Sequence, residues 1–385
     1  LTMSHRVRIG LLLNRWHTWG RGIIEGVYDF AEAHGQWLIR VFDPETREIR
    51  RLKKFNPRGI IAFLNKPELA REVLGLRATT VNVSGELNLP KVPRVGLDDE
   101  AIGRMAAQHL VERGLRHFGF YGHVKSGFTQ RREIGFHAEL ASRGFEVSVL
   151  RLDPERLVSE RFEPFEARVH RWLMKLPKPV GVMADMDLAG RALTEVCRDA
   201  GVSVPTDLAV VGVDDDELQC RIAHPPLSSI RTPSREIGRR AGQILENLLD
   251  GRAIGPMPVI LPPVMVIPRA STDVLLLADP EVTAALRYIR DKVEQRITVD
   301  DVLAEVPISR SWLERRFKAM LGRTPYEEIQ RMHVERARKL LAETDWSIAR
   351  IAESSGYASA SRFSHAFRRE TGMRPVDYRR RVKGG

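Results

Sequence analysis

Residues 347–375 read SIARIAESSGYASASRFSHAFRRETGMRP. Ile348, Ile351 and Ala352 stand at i, i+3 and i+4, the spacing of one helix face, and Ser347 before them is a natural N-cap. Gly356 interrupts that helix, and Ser359 or Ser361 can cap a second. The second helix would turn Phe363, Ala366 and Phe367 inward and present Ser361, Arg362, His365, Arg368 and Arg369 on its other face. Gly372 and Pro375 supply its stop. Two short helices around a glycine turn, the second aromatic inside and basic outside, have the pattern of a helix-turn-helix that enters a DNA groove. A surface hairpin with a solvated basic face has the same local pattern. A second copy upstream separates the two.

That copy begins with a helix over 298–305. Ser309 can cap the next helix, in which Leu313, Phe317, Met320 and Leu321 face inward and Arg310, Glu314, Arg315 and Lys318 face out. Gly322 and Pro325 end it, and 326–343 form a long connecting helix. Charge agrees with a DNA-facing end. The chain of 385 residues carries a net charge of +11, and from Pro280 onward there are 22 Lys/Arg against 15 Asp/Glu. Excess cations of this kind suit a phosphate backbone.

At this length two or three domains are expected. No apolar run reaches the roughly 18 residues that span a bilayer, and the first residues lack a signal-peptide core. The two cysteines, Cys197 and Cys220, make neither a disulfide framework nor a CxxC pair. A cytoplasmic protein that makes no membrane contact is expected.

Between residues 7 and about 260, apolar runs alternate with amphipathic ones. Strands are expected at 7–15, 35–42, 58–64, 79–83, 94–97, 117–122, 145–152, 180–185 and 208–214. Helices are expected at 22–34, 100–113, 131–143, 163–176, 187–200 and 234–249. Such alternation predicts βαβ units with parallel sheets, enough for two doubly wound lobes. Ligands of such sheets sit beyond the C-terminal strand ends. There the chain places Trp16, His17 and Arg21, then Asp98 and Asp99, then Arg131 and Arg132, then Asp185 and Asp187, then 214–216. Carboxylates and arginines beside an aromatic face suit a polyhydroxylated ligand. An aspartate after a strand also commonly caps the following helix, a role open to Asp99, Asp185 and Asp215.

The runs Val95-Gly-Leu-Asp-Asp-Glu-Ala-Ile-Gly103, Arg132-x-x-Gly-Phe136, Met183-Ala-Asp-Met-Asp187 and Val211-Gly-Val-Asp-Asp215 resemble the effector domains of LacI/GalR-type regulators, which have the periplasmic sugar-binding protein fold. The resemblance implies that Asp98, Arg132 and Asp214 hold sugar hydroxyls and that Phe162 stacks on the sugar ring. Asp187 falls in an Asn-Asp signature in which Met186 replaces the usual Asn. Trp16 and Arg21 complete the implied ligand set.

The C-terminal runs Arg336-Ala-Arg-Lys-Leu-Leu341, Ile351-Ala…Gly356-Tyr and Phe363-Ser-x-Ala-Phe367-Arg…Gly372-x-x-Pro375 resemble the AraC-type DNA-binding domain. That family sets both recognition helices into successive major grooves. The DNA contacts implied are Arg310, Ser311, Trp312, Arg315 and Lys318 in the first unit and Ser361, Arg362, His365 and Arg368 in the second. Pro307 stands where a turn glycine is expected in the first unit, and proline cannot take a positive φ. The first unit is therefore expected to sit differently and to read bases less strictly.

The order of modules, together with the run 308–317 and Leu261-Pro-Pro-Val…Ser271-Thr-Asp273, is similar to the xylose-responsive activators. The resemblance implies an α/β two-lobed, periplasmic-binding-protein-like domain over 5–273, a linker over 274–281 and an all-α double helix-turn-helix domain over 282–382. It also implies a dimeric activator of pentose utilisation genes whose partners are double-stranded DNA, a small sugar and RNA polymerase. No cofactor and no metal is expected. Another small molecule or a sugar phosphate as effector, or a sugar-converting enzyme, are the alternatives. Nucleotide binding is disfavoured, because Gly20-Arg-Gly22-Ile-Ile-Glu-Gly26 misses the dinucleotide spacing by one residue. No P-loop, GxSxG elbow or HExxH is present.

Overall fold

The computed structural model describes residues 7–34, 37–124, 126–152, 165–274 and 280–383. The first lobe contains β1 (Val7–Leu12), α1 (Thr18–His34), β2 (Trp37–Phe42), α2 (Ile49–Phe55), β3 (Gly59–Ala62), α3 (Pro67–Gly75) and β4 (Thr79–Asn82). Its strands pair in parallel in the order β2-β1-β3-β4. The central strands β1, from Ile9 onward, and β3 are apolar and buried on both faces, as helix-covered parallel strands must be. The short helices α2 and α3 were not expected from periodicity.

The chain leaves this lobe through β5 (Val95–Leu97) and α4 (Asp99–Glu112). The second lobe follows with β6 (His117–His123), α5 (Gly127–Ala141), β7 (Val147–Leu152), α6 (Phe165–Lys175), β8 (Val180–Ala184), α7 (Asp187–Asp199), β9 (Leu208–Val213), α8 (Glu217–Ile222) and β10 (Ser228–Arg231). It returns to the first lobe for α9 (Ser234–Leu249) and β11 (Val259–Leu261), then re-enters the second as β12 (Met265–Ile267). The second sheet has the order β12-β10-β9-β8-β6-β7, antiparallel only where β12 meets β10. Three segments therefore cross between the lobes: β5 to α4, β10 to α9, and β11 to β12. Helix α5 starts four residues before its expected beginning. The Glu86 carboxylate from the first lobe accepts hydrogen bonds from the Gly127 and Phe128 N–H groups at 2.7 and 3.0 Å, a distant cap that local sequence does not show.

The glycine run at 20–26 has a packing role. Helices α1 and α9 cross so closely that a Cβ at Gly26 would lie 1.8 Å from the Arg235 carbonyl oxygen, and one at Gly238 would lie 2.1 Å from that of Ile23.

The C-terminal domain comprises α10 (Pro280–Asp291), α11 (Val299–Glu305), α12 (Arg310–Leu321), α13 (Pro325–Glu343), α14 (Ile348–Glu353), α15 (Ala360–Thr371) and α16 (Pro375–Lys383). Helices α12 and α15 each have 12 residues, a serine N-cap (Ser309 or Ser359) and a left-handed glycine C-cap (Gly322 or Gly372). Counting back three residues from each cap aligns Gly356, at φ +76°, with Val306 rather than Pro307. Val306 is extended, at φ −112°, so the first turn closes without a left-handed residue. The turn position is thereby corrected from Pro307 to Val306: the two turns differ in backbone conformation, while the two recognition helices have the same length and the same kinds of cap.

Two aromatic cores support these units. Leu313 and Phe317 of α12 pack with Val282, Ile289, Val302 and Ile329. Phe363 and Phe367 of α15 pack with Val334, Leu341, Ile351 and Tyr378, and this second core also takes in Met265 and Ile267 of β12. The last strand of the two-lobed domain is thus part of the core of the helical one. No described helix is long and apolar enough to cross a membrane.

Candidate functional site

A cavity of about 480 Å³ lies between the lobes at the strand ends. The first lobe contributes Trp16, His17, Trp19, Phe63 and Glu86, and the second contributes Asp99, His123, Phe128, Arg131, Arg132, Asp187, Asp214 and Asp216. Arg132 is buried, and its Nε donates to Asp99 Oδ1 at 3.0 Å while Nη1 donates to the Asp185 carbonyl. Arg131 shares the same carboxylate, donating to Asp99 Oδ2 from Nε at 3.1 Å and Nη2 at 2.9 Å. The Arg132 guanidinium lies 4.8 Å from the centre of the Phe128 ring. One aspartate thus orients both arginines, and Phe128 covers one of them.

Asp185 carries a second cluster, its Oδ2 accepting from His123 N, His123 Nδ1 and Thr129 Oγ1 at 2.9, 2.8 and 2.7 Å. That hydrogen bond holds the His123 pKa above its ordinary value. Asp216 caps α8 through Gln219 N and accepts from Thr18 Oγ1 of the opposite lobe at 2.8 Å. Asp187 Oδ2 in turn accepts from Asp216 N at 2.7 Å.

Three acceptors stand apart. The Oδ1 atoms of Asp185, Asp187 and Asp214 are buried with no hydrogen-bond partner, and the Asp187 carboxyl packs against Gly212, with the Ser229 and Cys220 side chains beside it. Burial pushes the Asp187 carboxyl well above the ordinary carboxylate range. It also raises that of Asp214, against the pull of the Arg132 guanidinium. Asp214 sits at φ +100°, a conformation that costs a non-glycine residue energy and that tends to persist at functional sites. Buried carboxylate oxygens without partners call for hydroxyl donors. Aromatic rings at the same cavity suit the C–H faces of a sugar.

Five of the seven expected ligand residues can be placed against this cavity as lining or supporting it, one lies elsewhere, and one is not described. Trp16, Arg132, Asp187 and Asp214 line it. Arg21 stands behind it, donating to the Trp16 carbonyl and to Thr18 Oγ1, so it braces the loop that carries Trp16. Asp98 is a correction. Its carboxylate accepts from Ala101 N at 2.8 Å as the N-cap of α4, and its neighbour Asp99 faces the cavity. Asp99, Asp185 and Asp215 do not cap helices; Asp215 instead bridges Arg231 and Arg269. Phe162 lies outside the described residues. Sequence reasoning missed Trp19, Phe63, Glu86, His123 and Phe128, which reach the cavity only through tertiary folding.

On the helical domain, Arg310, Ser311, Arg315 and Lys318 of α12 are exposed, as are Ser361, Arg362, His365 and Arg368 of α15. Trp312 is half-buried, with the Arg316 guanidinium 5.6 Å from its ring centre. Arg310 is held by Asp300 at 2.6 Å and lies 3.8 Å from Glu314. The second helix meets solvent with its cations less encumbered: among the ion pairs of described residues, only Arg369 of α15 has a carboxylate, on Glu370.

A periplasmic binding protein-like domain profile matches residues 107–272, and a helix-turn-helix domain profile matches residues 302–381. The xylose operon regulatory protein of Escherichia coli K12 is 33% identical over 98% of this chain and 97% of its own. The chain belongs to the xylose operon regulator family. The member from Haemophilus influenzae is 32% identical, over 97% of this chain and 98% of its own. The solved structure of the xylose-binding transcription activator xylR superposes with a TM-score of 0.63 and 32% identity, covering 98% of this chain and 99% of that one. The periplasmic binding protein-like domain and the helix-turn-helix domain thus follow one another along this chain. The chain is a sugar-responsive, DNA-binding transcription regulator, and its partners are double-stranded DNA and a sugar effector.

Proposed function

We propose that this regulator binds a neutral pentose, D-xylose or a close relative, in the interlobe cavity and activates the genes for its use. The observation that carries this reading is the buried, unpartnered carboxylate oxygen of Asp214, which lines the cavity with Arg132 and Asp187 beside Trp16, Trp19 and Phe128. The relatives' names, which specify xylose, support the choice of sugar. A phosphorylated ligand is disfavoured because Asp99 already holds both cavity arginines and Glu86 occupies the α5 N-terminus. Turnover is disfavoured for a similar reason. Asp99 has both carboxylate oxygens committed to the cavity arginines, so it is not placed as a free acid or base.

The proposed ligand residues are Trp16, Asp99, Arg132, Asp187 and Asp214, with Arg21 as a brace. The proposed DNA contacts are Arg310, Ser311, Trp312, Arg315 and Lys318 on α12 and Ser361, Arg362, His365 and Arg368 on α15. Residues 5–273 form the sensor and 282–382 the reader. Sugar closes the lobes and shifts the population toward the DNA-competent state. A cytoplasmic homodimer that contacts RNA polymerase belongs to the same reading.

A thermal-shift panel of pentoses, hexoses and their phosphates tests the proposal. D-Xylose should stabilise the protein, Arg132→Ala should abolish the shift, and incubation with pentoses should give no product. A shift that survives Arg132→Ala would place the sugar elsewhere.

A further inference from the structure

A second cavity, of about 500 Å³, lies between the sensor and the DNA-binding domain. Its floor is the β11–β12 crossing, Pro262 to Val266, and its walls are α4 on one side and α13 and α16 on the other. Five guanidinium groups line it, those of Arg104, Arg113, Arg331, Arg338 and Arg381, against the carboxylates of Glu112 and Glu335. Both carboxylates are committed. Glu335 pairs with Arg338 at 2.9 Å, and Glu112 lies 3.8 Å from Arg331, which also holds Glu328.

Arg104 faces Glu100 at 3.5 Å and Asp98 at 3.8 Å, which leaves Arg113 and Arg381 without a paired carboxylate among the described residues. Arg113 spends its hydrogen bonds on the Thr272 carbonyl and on His109, and no carboxylate of a described residue lies within ion-pair distance of it. Burial and the neighbouring Arg331 lower its pKa to about 10. Arg381 donates to the Pro263 carbonyl and to Met373 Sδ, again with no carboxylate at ion-pair distance. Arg338 Nε is buried with no hydrogen-bond partner. Two guanidinium groups without a paired carboxylate, Arg113 and Arg381, beside the unpartnered Arg338 Nε favour an anion in this cavity, and planar guanidinium forks match phosphate oxygens.

We propose that this interdomain cavity is a second effector site, for a small phosphate-bearing anion. The anion joins Arg113 of the sensor to Arg338 and Arg381 of the reader. It thereby fixes the relative position of the two domains independently of the sugar.

Pyrophosphate is the probe, titrated into the full chain at constant ionic strength and followed by thermal shift. Saturable stabilisation is expected, weakened about tenfold or more in Arg338→Gln and in Arg381→Gln, because each removes a charge-assisted hydrogen bond. It should be unchanged in Arg132→Ala and in Arg362→Ala. The absence of saturable stabilisation would overturn the inference, as would a response indifferent to both cavity substitutions. Loss in Arg362→Ala alone would assign the anion to the DNA-reading face, and loss in Arg132→Ala alone to the sugar cavity. The last result would count against the neutral-sugar reading as well, whereas the other failures leave that reading intact.

Discussion

The Tyr378 hydroxyl of α16 donates to Met265 Sδ of β12 at 3.1 Å, inside a shared core. Met265 belongs to the strand that completes the second lobe immediately after the chain crosses from the first. A hinge segment of the sensor is therefore a core element of the reader. Lobe movement that shifts β12 has to repack Phe367 and Tyr378, whose rings lie 5.3 Å apart against each other. Packed cores switch between discrete arrangements rather than deforming smoothly.

Met265→Ala should uncouple the domains. Truncating a buried methionine costs about 2–5 kcal/mol of stability. The informative readout is the change in DNA affinity on adding sugar, which should shrink by about 0.5–2 kcal/mol. Sugar affinity, measured by calorimetry, should hold. Equal sugar dependence in the variant and the parent would remove β12 from the coupling route.

Asp214→Asn should separate stability from function. Burial raises the Asp214 pKa from its ordinary 3.8, so the folded, sugar-free protein retains a proton that the unfolded chain releases. Asp187 behaves in the same direction. The stability of the sugar-free protein should accordingly fall as pH rises from 3.8 through the raised folded values. Asn tolerates positive φ better than most residues, so the backbone is preserved. The variant should melt higher than the parent at pH 8 without sugar, and the gap should narrow toward pH 4. Its sugar affinity should drop about tenfold or more, since a hydrogen bond to a charged group contributes about 1.5–3 kcal/mol. Lower melting at pH 8 would contradict the assignment of a costly buried charge.

Glu86→Ala tests the interlobe latch. It removes the charged cap on α5, two hydrogen bonds that join the two lobes. Sugar affinity should weaken by about tenfold. Small-angle scattering of the sugar-free variant should report a larger radius of gyration than the parent. Unchanged values in both measurements would leave Glu86 without a role in closure.

Arg362→Ala should weaken binding to a selected DNA site by about 1–3 kcal/mol if the side chain contacts a base edge. Competition with non-specific DNA distinguishes the cases, because a uniform loss across sequences marks a phosphate contact.

Much of this molecule was legible in its sequence, because alternating apolar runs and serine-capped amphipathic helices report local physics. Helix α9 begins and ends where its periodicity places it, over Ser234–Leu249. The errors were of two kinds. The first was a shift by one residue. In the pair Asp98–Asp99 one residue caps α4 and the other orients two arginines, and composition cannot tell which. Val306 and Pro307 were exchanged in the same way. The second kind was long-range. Glu86 reaches the cavity from the far lobe to cap α5, and Phe128 lies on a turn of helix that exists because of that cap. No periodicity carries such information.

The central claim is that sugar in the interlobe cavity changes how the C-terminal domain binds DNA. A site selected from random DNA by the purified protein allows fluorescence anisotropy with and without D-xylose, in the parent and in Arg132→Ala. The expected result is an affinity change of about 5–150-fold in the parent, the usual range of allosteric coupling, and none in the variant, whose basal affinity persists. Equal affinities with and without sugar in the parent, or an undiminished response in Arg132→Ala, would contradict it.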